Sequence, residues 1–270
     1  MTKTLPTEFT VQDDFPPVSY DQWRTLVDES LGGAPFERKL VKKTYDGVNV
    51  QPIYGRQDEL GGDDPLGFPG LAPFVRGAHC LGAAQTGWDL RQEFAHPDLS
   101  ETNQAILNDL KGGTTSVHLR LDSAARRGID ADHPDAEDLA GCDGVMAYSV
   151  DDLDAALADV PLNRIPVAMD AGAAFLPAAA MLAGLWTRRD IAGKEALGAF
   201  HADPLAALAR DGSLPVPVAD ALASLADLAK LTVANYPRVT AVGVDTSPYH
   251  DAGATSAQDI AFATATAVEY

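Results

Sequence analysis

Residues 68–103, FPGLAPFVRGAHCLGAAQTGWDLRQEFAHPDLSETN, set the organisation of this 270-residue chain. The stretch is mostly irregular, with glycine and proline throughout its first half, two histidines and a tryptophan. It separates an N-terminal region from a region in which strand and helix patterns alternate. Long irregular segments of compact domains usually carry a function. The stretch is therefore predicted to be an arm that faces a ligand or a partner chain.

Upstream of this arm, the sequence predicts one short amphipathic helix. Ser19 is suited to cap its N-terminus, and Trp23, Leu26 and Val27 form an apolar stripe at helical spacing. The stripe fits either a helix that packs within the chain or one that docks on another subunit.

A hairpin is predicted after this helix. Two strand-like runs, Lys39–Tyr45 and Val48–Tyr54, are joined by Asp46 and Gly47, and an Asp-Gly pair between such runs is a strong hairpin signal. Residues 61–65 then predict a turn. Further on, Leu99–Leu110 predicts a helix that is capped by Ser100.

After Gly113 the pattern indicates parallel βα units, because β-rich runs alternate with helices rich in Ala and Leu. Asp151 is a plausible helix cap, and Pro217 suits the first turn of a helix. The predicted strands are Ser116–Leu121, Val145–Ser149, Ile165–Asp170, Leu197–His201 and Val239–Thr246. The predicted helices are Asp151–Asp159, Ala173–Trp186, Val218–Val233 and a last one from Ala254 onward.

Five such units fit either an open doubly wound sheet or part of a barrel. No GxGxxG follows a strand, so a dinucleotide-binding fold lacks its main signal. The region after Gly113 is also shorter than the roughly 200 to 250 residues of a closed (β/α)8 barrel. The residues by themselves leave the two architectures open.

The amino-acid composition excludes some classes of partner and indicates the cellular compartment. The net charge of -19 argues against nucleic acid and anionic membranes, since both repel an acidic surface. No apolar run is long enough to span a bilayer, and the N-terminus has no apolar signal core. Cys80 and Cys142 lie far apart without metal-ligand spacing, which indicates free thiols in a reducing cytoplasm.

Candidate chemical residues come from the predicted strand ends, where parallel βα folds place functional groups. These positions offer Asp122, Asp170, His201 and the pair Tyr249-His250. No HExxH, CxxC, P-loop or Gly-x-Ser-x-Gly motif is present, so no metal site is expected.

Several motifs resemble the methylmalonyl-CoA mutase family. Residues 73–77, PFVRG, are followed by Trp88, by Arg91-Gln92 and by Glu101-Thr102-Asn103, in the manner of that family's N-terminal signature. Residues 44–54, TYDGVNVQPIY, are similar to the segment before the signature. Tyr249-His250 and residues 252–255, AGAT, resemble the family's Gly-Tyr-His segment and its subsequent Glu-Ala-Gly-Ala-Thr segment. The resemblance covers nearly all of this chain but only the first half of a family chain.

The resemblance implies a substrate domain of the (β/α)8 TIM-barrel type behind an extended arm. We therefore expect residues 1–113 to form the arm, with its helix, hairpin and extended segment. Residues 114–270 are expected to form an incomplete barrel of about five βα units, as a fragment or a truncated product.

The resemblance also supplies candidate site residues. His250, with Tyr249, matches the substrate-facing histidine of catalytic chains, which hydrogen-bonds the thioester carbonyl, and His201 falls where those chains carry glutamine. Arg76, Trp88 and Arg91 are candidates for substrate binding. Three arm positions depart from the catalytic pattern: Thr86 replaces an arginine that grips coenzyme A, Asp89 a threonine and Glu93 a tyrosine beside the cobalt. No catalytic residue is therefore expected.

This combination is most similar to the small, non-catalytic subunit of a heterodimeric methylmalonyl-CoA mutase. The complex would interconvert methylmalonyl-CoA and succinyl-CoA with adenosylcobalamin, and this chain would pair with the large catalytic subunit. The chain itself is not expected to bind the cofactor, because no histidine follows the family's Asp-x-His-x-x-Gly pattern. The alternatives are a catalytic acyl-CoA mutase of altered specificity, or an unrelated barrel that binds a small molecule through Asp122 and Asp170.

Overall fold

The computed structural model describes residues 17–59, 66–85 and 87–270 of the chain. It divides into two compact units, Met1–Gly82 and Ala83–Tyr270. The division falls earlier than the predicted boundary after residue 113, because part of the predicted arm belongs to the second unit. The predicted turn at 61–65 lies outside the described residues, as does Thr86, the position that departs from the coenzyme A-binding arginine.

In the first unit, the predicted amphipathic helix is confirmed as α1, Tyr20–Ser30. Ser19 caps it through a capping box with Gln22, as its hydroxyl accepts from the Gln22 backbone N–H at 3.2 Å. The Trp23 ring packs edge-on against Phe36, with 6.1 Å between ring centroids. Packing within the unit thus accounts for part of the apolar stripe, although Leu26 stays exposed.

The predicted hairpin is present but shorter than expected. A short helix, α2 at Phe36–Leu40, occupies the start of the first predicted strand. The antiparallel pairing is confined to β1, Lys42–Lys43, and β2, Asn49–Val50. Thr44 closes the intervening turn by accepting the Val48 and Gly47 backbone N–H groups.

The second unit is of the α/β class, with a five-stranded parallel sheet in the order β3-β4-β5-β6-β7 within the described residues. Strand order follows chain order without reversal, whereas doubly wound sheets reverse at a switch point. The sheet is consistent with part of a TIM-type barrel. Its strands are β3 Arg91–Phe94, β4 Ser116–Arg120, β5 Val167–Asp170, β6 Gly198–Ala202 and β7 Val239–Val242.

The prediction of five parallel strands is correct in number but wrong in one member. Val145–Ser149 is not a strand: Val145 makes a single parallel bridge to Leu121, and Ser149 already caps a helix. Its alternating apolar residues pack in the core as a buried loop. Arg91–Phe94 takes its place as the edge strand next to β4.

Helices connect these strands close to the predicted positions. Three caps differ from the prediction: Asp98 caps the helix in place of Ser100, Ser149 replaces Asp151, and Pro217 lies at the cap itself. The helices are α3 Leu99–Gly112, α4 Ser123–Arg126, α5 Val150–Ala156, α6 Phe175–Arg188, α7 Pro204–Asp211, α8 Val218–Asn235, α9 Ser247–Asp251 and α10 Ser256–Glu269.

The two faces of the sheet differ in chemistry. Val117 and Leu119 of β4 point into the core that the longer helices cover, together with Met169 and Phe200 of the next strands. On the opposite face, His118 and Arg120 of β4 and Asp170 of β5 are polar and partly exposed. This alternation follows from the two-residue period of a strand. Among the described residues, no helix is both long and apolar enough to cross a membrane.

Candidate functional site

A cleft of about 480 Å³ opens on the polar face, toward the carboxyl ends of the strands. We call it the strand-end cleft. Active sites of parallel βα folds lie in this position because successive strand ends converge there. Its ionisable and imidazole lining consists of Glu93, His118, Arg120, Asp170, His201, Asp203, Arg210, Asp245 and Asp251.

Strand register brings Glu93 and His118 together. The two residues are direct partners in the β3–β4 ladder, and the His118 Nδ1 lies 3.7 Å from the Glu93 carboxylate. That distance is too long for a hydrogen bond. The His118 ring meets the His201 ring edge-on, with centroids 5.7 Å apart. A carboxylate and two imidazoles therefore line one wall of the cleft.

His201 sits on irregular backbone. Its φ angle of 47° lies in the left-handed region, and the register shifts between Ala199 and Ala202. The His201 side chain lines the cleft, on the face opposite to the core residues Phe200 and Ala202. Gly243 on the next strand end comes so close that an added Cβ would lie 3.2 Å from the His201 Cα. Glycine at 243 thus makes room for the bulge.

Burial keeps both imidazoles neutral near pH 7. It lowers the pKa of His118 from its ordinary value, against the opposing charges of Asp170 and Glu93. It also lowers the pKa of His201, and the neighbouring His118 and Arg91 act in the same direction. Neutral imidazoles can donate or accept a hydrogen bond in the cleft but add no positive charge.

Two arginines supply the positive charge of the cleft. The Arg120 guanidinium lies 2.6 Å from Asp143 and 3.8 Å from Asp170. Arg210 lies 3.6 Å from the Asp245 carboxylate. The longer two distances exceed the hydrogen-bond range, so these guanidiniums keep donor capacity.

Two strand-end aspartates hold the backbone around the site instead of offering a free carboxylate. Asp122, fully buried, caps α4 through the Ala125 N–H and accepts from the Tyr148 hydroxyl at 2.7 Å. Asp203 caps α7 in the same way and accepts from the Tyr270 hydroxyl. Burial and the adjacent carboxylate raise the pKa of both tyrosines. Asp122, a sequence candidate, is therefore absent from the cleft lining, whereas Asp170 is part of it.

The arm residues of the second unit fasten β3 to β4. Asp89 accepts a hydrogen bond from Thr115 at 2.9 Å and forms an ion pair with Arg91 at 3.0 Å. Burial alone would raise the pKa of Asp89, but hydrogen bonds from Ser116 and Thr115 and the charge of Arg91 lower it. Arg91 also donates to Ser116. The candidate Trp88 is 80% exposed.

The remaining candidates lie outside the cleft lining. The Tyr249 ring packs on the Phe262 ring, with 4.7 Å between centroids, and the His250 Nδ1 lies 3.0 Å from the Asp259 carboxylate. Both residues lie on α9. Two other residues of this helix, Ser247 and Asp251, line the cleft. Arg76 belongs to the first unit, where it is exposed. Of the sequence candidates, the structure therefore brings together His201 and Asp170.

Sequence reasoning missed His118, Arg120 and Arg210. The signal for the first two was present in residues 116–120, SVHLR, where polar and apolar residues alternate as they do on a strand with one polar face. Arg210 lies on α7, the helix that follows β6. Because it is far in the sequence from His118 and Arg120, no local pattern predicts that it lines the same cleft.

Comparison with known proteins places the chain in a family. Residues 43–270 match the sequence profile of the family described as Methylmalonyl-CoA mutase. The chain is 35% identical to the methylmalonyl-CoA mutase small subunit of Streptomyces virginiae over 95% of this chain and 38% of that protein. It is 31% identical to the small subunit of Propionibacterium freudenreichii subsp. shermanii, over 98% of this chain and 38% of that protein.

The Streptomyces virginiae large subunit is also similar, at 27% identity over 94% of this chain and 34% of that protein. The chain thus spans little more than a third of the length of these relatives. The match to the family profile nevertheless covers most of this chain. The chain therefore belongs to the methylmalonyl-CoA mutase family.

Proposed function

We propose that this chain is the barrel region of a methylmalonyl-CoA mutase small subunit and that its own role is structural. The complex would interconvert methylmalonyl-CoA and succinyl-CoA in the cytoplasm, and the large subunit would carry out the chemistry. The higher identities to two small subunits than to one large subunit support this assignment. The five strands in chain order would be the first five of an incomplete (β/α)8 barrel.

The charge of the strand-end cleft is the observation that carries the proposal. Five carboxylates line it, against two guanidiniums, while the two histidines are kept neutral by burial. A coenzyme A thioester brings several negative phosphate charges and, for methylmalonyl-CoA, a further carboxylate. Unscreened carboxylates in a partly buried cleft repel such a ligand.

Glu93 supplies part of this negative charge, at the position where catalytic chains carry a tyrosine. Its carboxylate lines the cleft and lies 3.7 Å from His118. The position that would place an aromatic shield beside substrate thus carries a negative charge. Tyr249 and His250, which favoured a catalytic mutase, do not line the cleft.

Proteins of this family depend on adenosylcobalamin, which supplies radical chemistry when bound. The residues of this chain do not fit a host for that cofactor. None of the six histidines follows an aspartate by two positions, and Glu93 presents a carboxylate where the cofactor's neighbour would be aromatic. We therefore propose that the large subunit holds the cofactor.

Sedimentation velocity tests the pairing. The full-length chain is mixed with a mutase large subunit from the same organism, and we expect a one-to-one complex with mutase activity. A full-length chain that remains monomeric in the mixture would contradict the proposal. Assay of the full-length chain alone, with adenosylcobalamin and methylmalonyl-CoA, is expected to give no turnover.

A further inference from the structure

We propose that the strand-end cleft binds a small zwitterion, a molecule that carries an ammonium group and a carboxylate a few carbon atoms apart. The lining described above consists of residues of this chain. The inference goes beyond the structural role proposed above and does not depend on subunit pairing.

The ammonium group is indicated by two uncompensated carboxylates. Among the lining carboxylates, Asp170 faces Arg120 and Asp245 faces Arg210. Asp203 is already occupied by the Ala206 and Asp245 backbone N–H groups and the Tyr270 hydroxyl.

Glu93 and Asp251 remain. Within residues 17–59, 66–85 and 87–270, the Glu93 carboxylate forms no ion pair with an arginine or lysine, and it faces the His118 imidazole at 3.7 Å. Asp251 forms no ion pair within the described part of the chain, and it is exposed at the cleft. These two carboxylates make the cleft attractive to a cationic group, because charges in a partly buried site are screened less than on an open surface.

The carboxylate of the ligand is indicated by donors without acceptors. The Arg120 Nε and the Arg210 Nε are buried donors that have no hydrogen-bond partner in the described residues. Buried donors without partners are rare in folded proteins. Asp143 occupies the Arg120 Nη2 at 2.6 Å, but Asp170, Asp211 and Asp245 all stay beyond hydrogen-bond distance of these arginines. The remaining guanidinium N–H groups are therefore available to a ligand carboxylate after a small side-chain rotation.

Size and polarity agree with a small molecule. The cleft volume of about 480 Å³ falls in the range of small-molecule sites, which is about 300 to 1,000 Å³. The neutral His118 and His201 rings contribute hydrogen-bonding groups without adding charge of either sign. A zwitterion satisfies both the uncompensated carboxylates and the unpartnered donors, whereas a dianion or a dication satisfies only one set.

A four-carbon series separates these possibilities by charge at nearly constant shape. The full-length chain is titrated calorimetrically with 4-aminobutanoate, with succinate and with 1,4-diaminobutane. We expect 4-aminobutanoate to bind about tenfold or more tightly than either of the others, on the scale of one charged hydrogen bond. Equal or tighter binding of succinate or of diaminobutane, or no binding of 4-aminobutanoate at millimolar concentration, would overturn the proposal.

Variants locate the binding in the cleft. Asp251→Asn is expected to weaken 4-aminobutanoate binding about tenfold and to reduce the discrimination against succinate, and Arg210→Gln to weaken binding similarly. Asp251 is exposed, so its substitution leaves folding intact even if Arg210→Gln does not. Matched controls are Glu101→Gln and Arg188→Gln, which remove the same charges outside the cleft. Unchanged binding in Asp251→Asn would place the ligand elsewhere and overturn the inference, whatever the result of the pairing experiment.

Discussion

The two faces of strand β4 show how one short sequence separates stability from ligand recognition. Val117 and Leu119 are fully buried against the helices, whereas the His118 and Arg120 side chains are 23% and 27% exposed on the cleft side. A buried leucine side chain stabilises the fold by about 1.5–3 kcal/mol through removal of apolar surface from water. The polar face contributes less, because its ion pairs are partly solvated. Substitutions on the helix-covered face should therefore lower the stability of the fold more than substitutions on the cleft side.

The largest effect is expected on the helix-covered face. Leu119→Ala removes a fully buried side chain, and we expect the free energy of unfolding to fall by about 2–5 kcal/mol. Urea unfolding followed by circular dichroism measures the loss. The control Leu231→Ala removes a side chain that is half-exposed on α8, and it should cost less than about 1 kcal/mol. Equal losses in the two variants would mean that β4 does not face a packed core.

A second comparison concerns carboxylates at the ends of adjacent strands. In Asp122, one carboxylate oxygen accepts from the Ala125 N–H and the Tyr148 hydroxyl, and the other accepts from the Gly141 N–H. Asp122→Asn replaces one of these oxygens with an NH2 group, so we expect the free energy of unfolding to fall by about 1–3 kcal/mol. Asp170→Asn changes a cleft residue whose nearest partners lie at 3.4 and 3.8 Å, and it should cost less than about 1 kcal/mol. Chemical denaturation measures the loss of unfolding free energy in both variants. A larger loss in Asp170→Asn than in Asp122→Asn would contradict the assignment of Asp122 to backbone hydrogen bonds and of Asp170 to the cleft.

A smaller effect is expected from the two partly buried histidines of the cleft, His118 and His201. Their folded pKa values lie below the ordinary value of 6.5, so the unfolded chain binds more protons than the folded chain as the pH falls through 6.5. Their contribution is therefore present above pH 6.5 and is lost as the pH drops toward the folded pKa values. The negative charges of Asp170 and Glu93 oppose the lowering of the His118 pKa, whereas the positive charges of Arg91 and Arg120 lower that pKa further.

Unfolding free energies at pH 7.5 and at acid pH measure this contribution. The double variant His118→Gln/His201→Gln should lose less stability on acidification than the unaltered protein. A control variant is His133→Gln, which removes an exposed imidazole outside the cleft. A double variant with the same pH dependence as the unaltered protein would show that the two rings are not buried as described.

The smallest effect is expected at Glu93. Its carboxylate is 46% exposed and faces His118 at 3.7 Å, so Glu93→Gln should change the unfolding free energy by less than about 1 kcal/mol. Thermal unfolding checks this value. A large destabilisation would mean that Glu93 holds the sheet together, and its charge could then not be assigned to recognition.

Much of the fold could be predicted from local patterns. The Ser19 cap and the stripe around Trp23 predicted α1, and the alternation after Gly113 predicted parallel βα units. The family resemblance rested on motifs such as residues 73–77, and the profile match confirms it. These features could be predicted because each depends on neighbours within a few residues in the sequence.

The errors arose where long-range packing decides the structure. Residues 91–94, RQEF, carry one apolar side chain and form an edge strand because the ladder to β4 supplies the partners. Val145–Ser149 has the apolar alternation of a strand but packs as a loop beyond the end of β4. The cleft was predicted only in part: His201 and Asp170 were found as strand-end residues, whereas Arg210 reaches the cleft from a helix that follows β6.

The central claim is that the polar face of this sheet does not serve as a methylmalonyl-CoA site. Calorimetric titration of the full-length chain alone with methylmalonyl-CoA tests it most directly. The charge of the strand-end cleft predicts no binding at submillimolar concentration. Submillimolar affinity that is lost in Arg120→Gln, a substitution in the cleft lining, would contradict the claim, because it would show a working substrate pocket and favour a catalytic mutase.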